Sequence, residues 1–500
     1  MNYFNKILIL IICLIAFSVF VNPQSKDNSF VIGSKKFTEN VILGELAYQL
    51  GKTETDKIIY KKELGGTRIL WNALLYGDID LYPEYTGTIR QEILAGINTK
   101  GNSLEELLLK NNVKISKPLG FNNTYAIGMR NELAVKLNIK TISDLSKHPQ
   151  LKYTFTNEFM DRKDGWPGLK AVYNLENKNV QGIDHDLAYR GLINGDVDVT
   201  DFYSTDAEIK YYDLAVLKDD KNYFPKYKAV FLYRADAEKY SKTILSKILL
   251  LEGKIYENEM VKMNADVKIN KKTEREIASN FLSTFLGINS NVTIESIWDR
   301  LFKNTKEHLF LVLISLIAAI FTSIPLGILA AKNDKAGTLI LGIVGMIQTI
   351  PSLALLVFMI PLFGIGSWPA IVALFFYSLL PIVRGTYSGL KNIPLSLNIS
   401  AEALGLPTLT KLKKIELPLA SPSILSGIKI SAVINVGTAT LGALIGAGGY
   451  GQPILTGIRL DNISLILQGA IPAALLALLV QWFFDIFEKI IVPRGISLKK

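Results

Sequence analysis

The side chains able to do covalent or acid–base chemistry are few and scattered. His148, His185 and His308 stand far apart, with no nucleophile and acid beside them, and read as surface or packing residues. Cys13 is the only cysteine, so neither a disulfide nor a thiolate metal site can form within one chain. Ile12 precedes it where a lipid-acceptor cysteine needs a small residue. No Gly-x-x-x-x-Gly-Lys-Ser/Thr run occurs, which excludes ATP hydrolysis by that phosphate-binding loop. Carboxylates are plentiful between residues 29 and 275, yet no catalytic set or metal cluster emerges. The expectation is a protein without enzymatic activity, metal or cofactor. What the chain has in quantity is tyrosine, 21 of them, many before residue 275.

The elements that must position these residues differ along the chain. Residues 7–21 are continuously apolar after Lys6, short for a membrane span and suited to a signal sequence. Residues 1–25 are read as a signal peptide or an uncleaved anchor, both alternatives open. Residues 29–275 alternate short β-rich and amphipathic runs, the pattern of a two-lobed α/β domain. Residues 276–305 read as an amphipathic connector. Apolar stretches follow at 308–330, 337–362, 368–388, 423–447 and 464–487, each near the roughly 20 residues that cross a bilayer. Pro351 interrupts the second and Pro381 the third; Gly442, Gly446, Gly448 and Gly449 would let the fourth bend or approach a neighbour closely. Lysines and arginines collect after the first, third and fifth stretches, while Arg459 is offset by Asp461 between the last two. Positive-inside asymmetry then places residues 29–275 outside the cell and the 389–421 loop inside. The net charge of +10 follows from this topology, and no compact basic stripe points to nucleic acid.

That long loop carries Ile399-Ser400-Ala401-Glu402-Ala403-Leu404-Gly405, then Ile415-Glu416-Leu417-Pro418. It resembles the coupling loop of ABC importer permeases, an acidic-Ala-Ala triplet followed at fixed spacing by Gly and Ile-x-Leu-Pro. Ala401, Gly405, Ile415, Leu417 and Pro418 keep the register; Ile399 stands where Glu is usual, and Glu402 lies three residues on. Two short helices are expected, one closed by Gly405 and one from Thr410 to Leu417 ended by Pro418. The resemblance implies a cytoplasmic ABC ATPase partner and a paired, homodimeric permease.

Residues 30–240 resemble binding proteins for glycine betaine, choline and related quaternary amines. The likeness runs through Gly33-Ser34-Lys35-Lys36-Phe37-Thr38-Glu39, Leu64-Gly65-Gly66-Thr67, Tyr82-Pro83-Glu84-Tyr85-Thr86-Gly87-Thr88, Asn122-Asn123-Thr124-Tyr125, Asp161-Arg162-Lys163-Asp164-Gly165 and Tyr203-Ser204-Thr205-Asp206, ending near Tyr227. It implies an aromatic cage of Tyr85, Tyr125, Tyr203 and Tyr227, with Lys35, Thr88 and Arg162 on the carboxylate of a betaine. The chemistry suits such a ligand: a quaternary ammonium has no N–H to donate, and each ring face offers it about 0.5–2 kcal/mol. Charge-assisted donors hold the acidic end. Asn123 stands where some members have Asp, which leaves room for a larger ligand. Trp166 is read as packing.

Together these readings give an α/β two-lobed, periplasmic-binding-protein-like (type II) domain followed by an all-α, five-helix ABC importer permease at 306–490. The chain is expected to be multi-pass in the bacterial inner membrane, surrounded by lipid, with its binding domain extracytoplasmic. A betaine (glycine betaine, proline betaine or carnitine) is the favoured ligand, choline or ergothioneine the alternative, and a membrane-bound sensor without transport the alternative of a different class.

Overall fold

The computed structural model describes residues 29–96, 103–176, 180–289 and 296–492. The apolar run 7–21, Cys13 and the cleavage question lie outside the described residues, as do Arg494, Lys499 and Lys500. The chain forms two compact units, Asn28–Ile294 with Thr456–Ile463, and Glu295–Leu455 with Ser464–Lys500.

The first unit is built on two five-stranded sheets. Its strands are β1 (Phe30–Gly33), β2 (Ile58–Lys61), β3 (Leu81–Tyr85), β4 (Val113–Ile115), β5 (Tyr125–Arg130), β6 (Tyr153–Thr156), β7 (Val180–Ile183), β8 (Val199–Tyr203), β9 (Leu214–Leu217) and β10 (Ala229–Arg234). One sheet has the order β2-β1-β3-β10-β4 and the other β7-β6-β8-β5-β9. In the first, β1 runs parallel to β2 and β3 while β10 is antiparallel to β3 and β4. In the second, β6 runs parallel to β7 and β8 while β5 is antiparallel to β8 and β9. Each sheet anchors a lobe. The chain crosses between lobes after β4 and returns before β10, and the two crossings touch through the Asn122–Lys228 bridge.

The apolar runs explain the layers. Every residue of β3 is buried, as a central strand covered on both faces must be. Helix α1 (Thr38–Lys52) is buried along nearly its whole length, wedged between the sheet and later helices, α2 (Glu257–Lys268) and α3 (Glu274–Leu286). Gln49 of α1 donates to the carbonyl of Arg275 at 2.8 Å, so α3, expected in the connector, belongs to this unit. The distant piece Thr456–Ile463 belongs to it too. Arg459 is buried there between Glu63 (2.6 Å) and Glu274 (2.5 Å), with Thr38 Oγ1 at 3.0 Å. The sequence had set Arg459 against Asp461; instead Asp461 pairs with Arg190. Residues two apart at a helix end point different ways, so each finds its own partner.

The second unit is helical. Helix α4 (Ile297–Lys332) begins at a capping box in which Ser296 and Asp299 satisfy each other's backbone N–H groups. It is followed by α5 (Asp334–Thr349), α6 (Ser352–Phe363), α7 (Ser367–Lys391), α8 (Leu395–Ala403), α9 (Thr408–Lys411), α10 (Leu417–Thr438), α11 (Gly451–Arg459, whose last turn joins the first unit) and α12 (Ile463–Ile491). Among the described residues, four helices are long and apolar enough to cross a membrane, or five if the pair α5 and α6, bent by 98°, counts as one span. The bend falls at Pro351, which cannot donate to the preceding turn. Pro381, by contrast, leaves α7 continuous where it packs against α4 and α10.

Apolar side chains of α4, α7 and α10, among them Leu316, Ala319, Ile382, Val383, Ile424 and Ile428, form this unit's core. Asn435 Nδ2 bridges them by donating to Ser315 Oγ (3.0 Å) and Ser378 Oγ (2.8 Å). Where α7 and α10 cross, a Cβ on Gly427 would stand 2.5 Å from the Pro381 carbonyl oxygen, so the glycine permits the close approach. Gly446, Gly448 and Gly449 do not bend a span. They take left-handed φ values of 76° in the turn after α10 and its tail Ala439–Ile445, a conformation that favours glycine.

Candidate functional site

The tyrosines singled out by the sequence are brought together by the sheet ends. Tyr85 closes β3; Tyr125 opens β5 directly opposite Tyr203, the last residue of β8. Tyr227 lies just before β10, held to the crossing strand by its N–H on Asn122 Oδ1 (2.7 Å) and its carbonyl on the Asn123 N–H (3.0 Å). The rings of Tyr125 and Tyr203 are 5.3 Å apart, and Tyr227 meets Tyr125 edge-on at 5.6 Å. Tyr85 joins through Phe37, whose centroid is 6.3 Å from Tyr85 and 5.9 Å from Tyr203. Phe37 was not singled out, although it sits inside a quoted motif; an aromatic two residues after Lys35 was the available signal. Gly87 is required here because a Cβ would fall 2.3 Å from the Tyr227 ring. Trp166 packs on Tyr153 and Phe155, away from this set.

The cationic residues lie at the same place. Lys35 Nζ is 5.7 Å from the centroids of both Phe37 and Tyr85, and Arg162 Cζ is 5.6 Å from Tyr125. Both are buried and paired. Lys35 Nζ donates to Glu84 Oε1 (2.5 Å) and Thr67 Oγ1 (2.9 Å). Arg162 holds Asp164 with two parallel bonds of 2.9 and 2.6 Å and reaches Glu92 across the lobes at 3.0 Å. The Tyr227 hydroxyl also donates to Asp164. Burial pushes the Glu84 carboxyl above its ordinary range despite Lys35. Thr88 is buried in the helical turn after Tyr85.

Glu39, in the first turn of α1, stands in a quoted motif but was given no role from the sequence. Its carboxylate accepts from Tyr85 Oη (2.6 Å) and Asn123 Nδ2 (2.8 Å) on one oxygen, and from Thr205 Oγ1 (2.5 Å) and Asn264 Nδ2 (3.2 Å) on the other. Burial pushes its pKa above 4.5, against the pull of these donors. Only folding reveals it: its donors come from four places in the chain.

Residues 28–284 match the family described as the substrate-binding domain of the ABC-type glycine betaine transport system, and residues 323–495 match the binding-protein-dependent transport system inner membrane component. The chain belongs to this ABC transport family. It is a binding domain and a permease domain fused in one subunit of an importer of the quaternary-amine type. It is 38% identical over 218 residues to the glycine betaine/carnitine/choline transport system permease protein of Bacillus subtilis (strain 168), covering 44% of this chain and 97% of that one. It is 32% identical over 296 residues to the ergothioneine transport permease/ergothioneine binding protein of Helicobacter pylori (strain G27), covering 56% of this chain and 52% of that one. A solved glycine betaine/carnitine/choline ABC transporter structure aligns at 29% identity and a TM-score of 0.43, over 51% of this chain and 98% of that one.

In the permease domain the loop residues form one compact turn. Ala401 is buried on α8, and Gly405 takes φ 67° where the chain reverses. Glu402, exposed, pairs with Lys411 at 2.9 Å and so ties α8 to α9. The second expected helix does not end at Pro418. A π-turn, Leu412–Glu416 with Ile415 in it, runs directly into α10, and Leu417 and Pro418 form the first turn of that helix. Proline is at home there because a first-turn N–H has no intrahelical acceptor. Glu416, which the sequence left without a partner, is buried and receives both bonds of Lys332 from the end of α4, at 2.6 and 2.7 Å. Ile399, Leu404 and Leu409 face outward on this turn.

Proposed function

We propose that the chain imports a quaternary ammonium compound, a betaine in the first instance, gripped between the lobes by Tyr85, Tyr125, Tyr203 and Tyr227. The observation that carries this is the continuous ring set with Lys35 and Arg162 within 6 Å of its faces. Side chains that already stack over these rings as cations mark faces that suit a methylated ammonium. The same two side chains, with Thr88, are the donors for a carboxylate, and Asn123 adjoins the ring set through Tyr227 and Glu39. Arg162 bonds across the lobes to Glu92, so a ligand acid that recruits Arg162 would bear directly on lobe closure.

The permease domain works with an ATPase subunit. In this reading that subunit is cytoplasmic and seats on the turn around Ala401, Glu402, Gly405, Ile415, Leu417 and Pro418. The outward Ile399, Leu404 and Leu409 supply the apolar surface such a seat needs. Most of the apolar stretch of α12 is not buried within the chain, and lipid and a second copy of the chain would cover it. The chain is then multi-pass in the bacterial inner membrane, with the two-lobed unit outside.

The test is a thermal-shift panel on the full-length chain in lipid nanodiscs with glycine betaine, proline betaine, carnitine, choline and ergothioneine. A ligand that binds only the folded state raises its stability, by about 2.7 kcal/mol at a hundredfold excess over Kd. The betaines should give the larger shifts; a panel without any shift ends the reading.

A further inference from the structure

The carboxylates around the ring set fall into two kinds. Glu84 is matched by Lys35 at 2.5 Å, and Asp164 and Glu92 by Arg162 at 2.6 and 3.0 Å. Glu39 is as deeply buried, 4% exposed, yet all four of its hydrogen-bond donors are neutral: a phenol, a hydroxyl and two amides. Among the described residues no lysine, arginine or histidine forms an ion pair with it. A buried carboxylate is tolerated when it is both hydrogen-bonded and charge-compensated. Here the first condition is met within the chain and the second is not. The acid is bonded directly to the Tyr85 hydroxyl, which makes that ring a more electron-rich partner for a cation. Its second oxygen meets Thr205 of the other lobe, so its surroundings are complete only when the lobes meet.

We propose that Glu39 is the counter-charge for the ligand's quaternary ammonium, a specificity-determining residue that selects positive charge where the rings select shape. It acts through Tyr85 and through its field across the ring set. Asn123 takes part as the donor that keeps one Glu39 oxygen in place, so the anionic member of this touching pair could stand at either position. The inference rests on the ring set being a quaternary ammonium site.

The test separates charge from shape. Glycine betaine and 3,3-dimethylbutanoate have the same outline, but a carbon replaces the nitrogen in the second and removes its positive charge. Both are titrated calorimetrically into the full-length chain in nanodiscs. In E39Q, glycine betaine should weaken about tenfold or more, the scale of one lost charge interaction at short range, while 3,3-dimethylbutanoate holds or tightens. In the double variant E39Q/N123D, which moves the carboxylate across the same hydrogen bond, the preference for glycine betaine should return. Equal losses for both compounds in E39Q would show a merely structural role and overturn the proposal, as would unchanged betaine affinity. Should E39Q fail to fold, the double variant decides: a lost preference overturns the proposal and a retained one supports it. A wild-type chain that binds no quaternary ammonium would instead overturn the reading of the site itself.

Discussion

Tyr203 stands at the junction of the ring set, 5.9 Å from Phe37 on one side and 5.3 Å from Tyr125 on the other. Removing it takes away one ring face and opens the contact between the Tyr85 and Tyr125 groups. Tyr203→Ala should therefore weaken quaternary ammonium binding about tenfold, the upper range for a desolvated cation–π face, as read by calorimetry on the full-length chain. Arg162 has a different task. It carries the charge-assisted bonds to Asp164 and Glu92 and is the donor a betaine carboxylate would recruit. Arg162→Ala should cost glycine betaine at least tenfold more than choline, which has no carboxylate, in side-by-side titrations; equal losses would place the acidic end of the ligand elsewhere.

At the scale of elements, the turn between α8 and α9 depends on one backbone geometry. A Cβ on Gly405 would meet nothing within 4 Å, so space is not the constraint; its φ of 67° is. A β-branched residue in that region is strained by about 1–2 kcal/mol. Gly405→Val should thus distort the turn, and reconstituted uptake should fall severalfold or more while ligand affinity of the two-lobed unit stays unchanged. Uptake at the wild-type rate would disconnect this turn from transport. The α4 end is joined to the same region by the ion pair of Lys332 with Glu416.

For the whole molecule, charges buried outside the ring set contribute to the response to acid. Burial alone would raise the Glu274 carboxyl, but Arg459 and Lys62 pull it down to about 2 from 4.5. A depressed carboxyl stabilises the fold above 4.5 and loses that contribution as pH falls toward 2. The shift corresponds to roughly 3 kcal/mol. Glu39 and Glu84, raised by burial, work in the opposite direction. The difference between wild type and Glu274→Gln isolates the one group: by chemical denaturation the stability gap should be full near neutrality and close on acidification. A gap independent of pH would show that Arg459 is not what holds the charge.

Apolar length, proline and glycine placement, charge asymmetry and the spaced motifs act locally, so they could be read along the chain. They gave the α/β lobes, the helical membrane part and the tyrosine, lysine and arginine positions that converge at the ring set. Partnership between distant charges leaves no local trace. Glu39 gathers donors from β3, the lobe crossing, the end of β8 and α2; Glu416 meets Lys332; Arg459 turns from Asp461 to Glu63 and Glu274. The two prolines make the same point, since Pro351 breaks a helix and Pro381 does not. Whether a proline ends a helix or is carried through it depends on which helices lie alongside, and only the folded chain decides that.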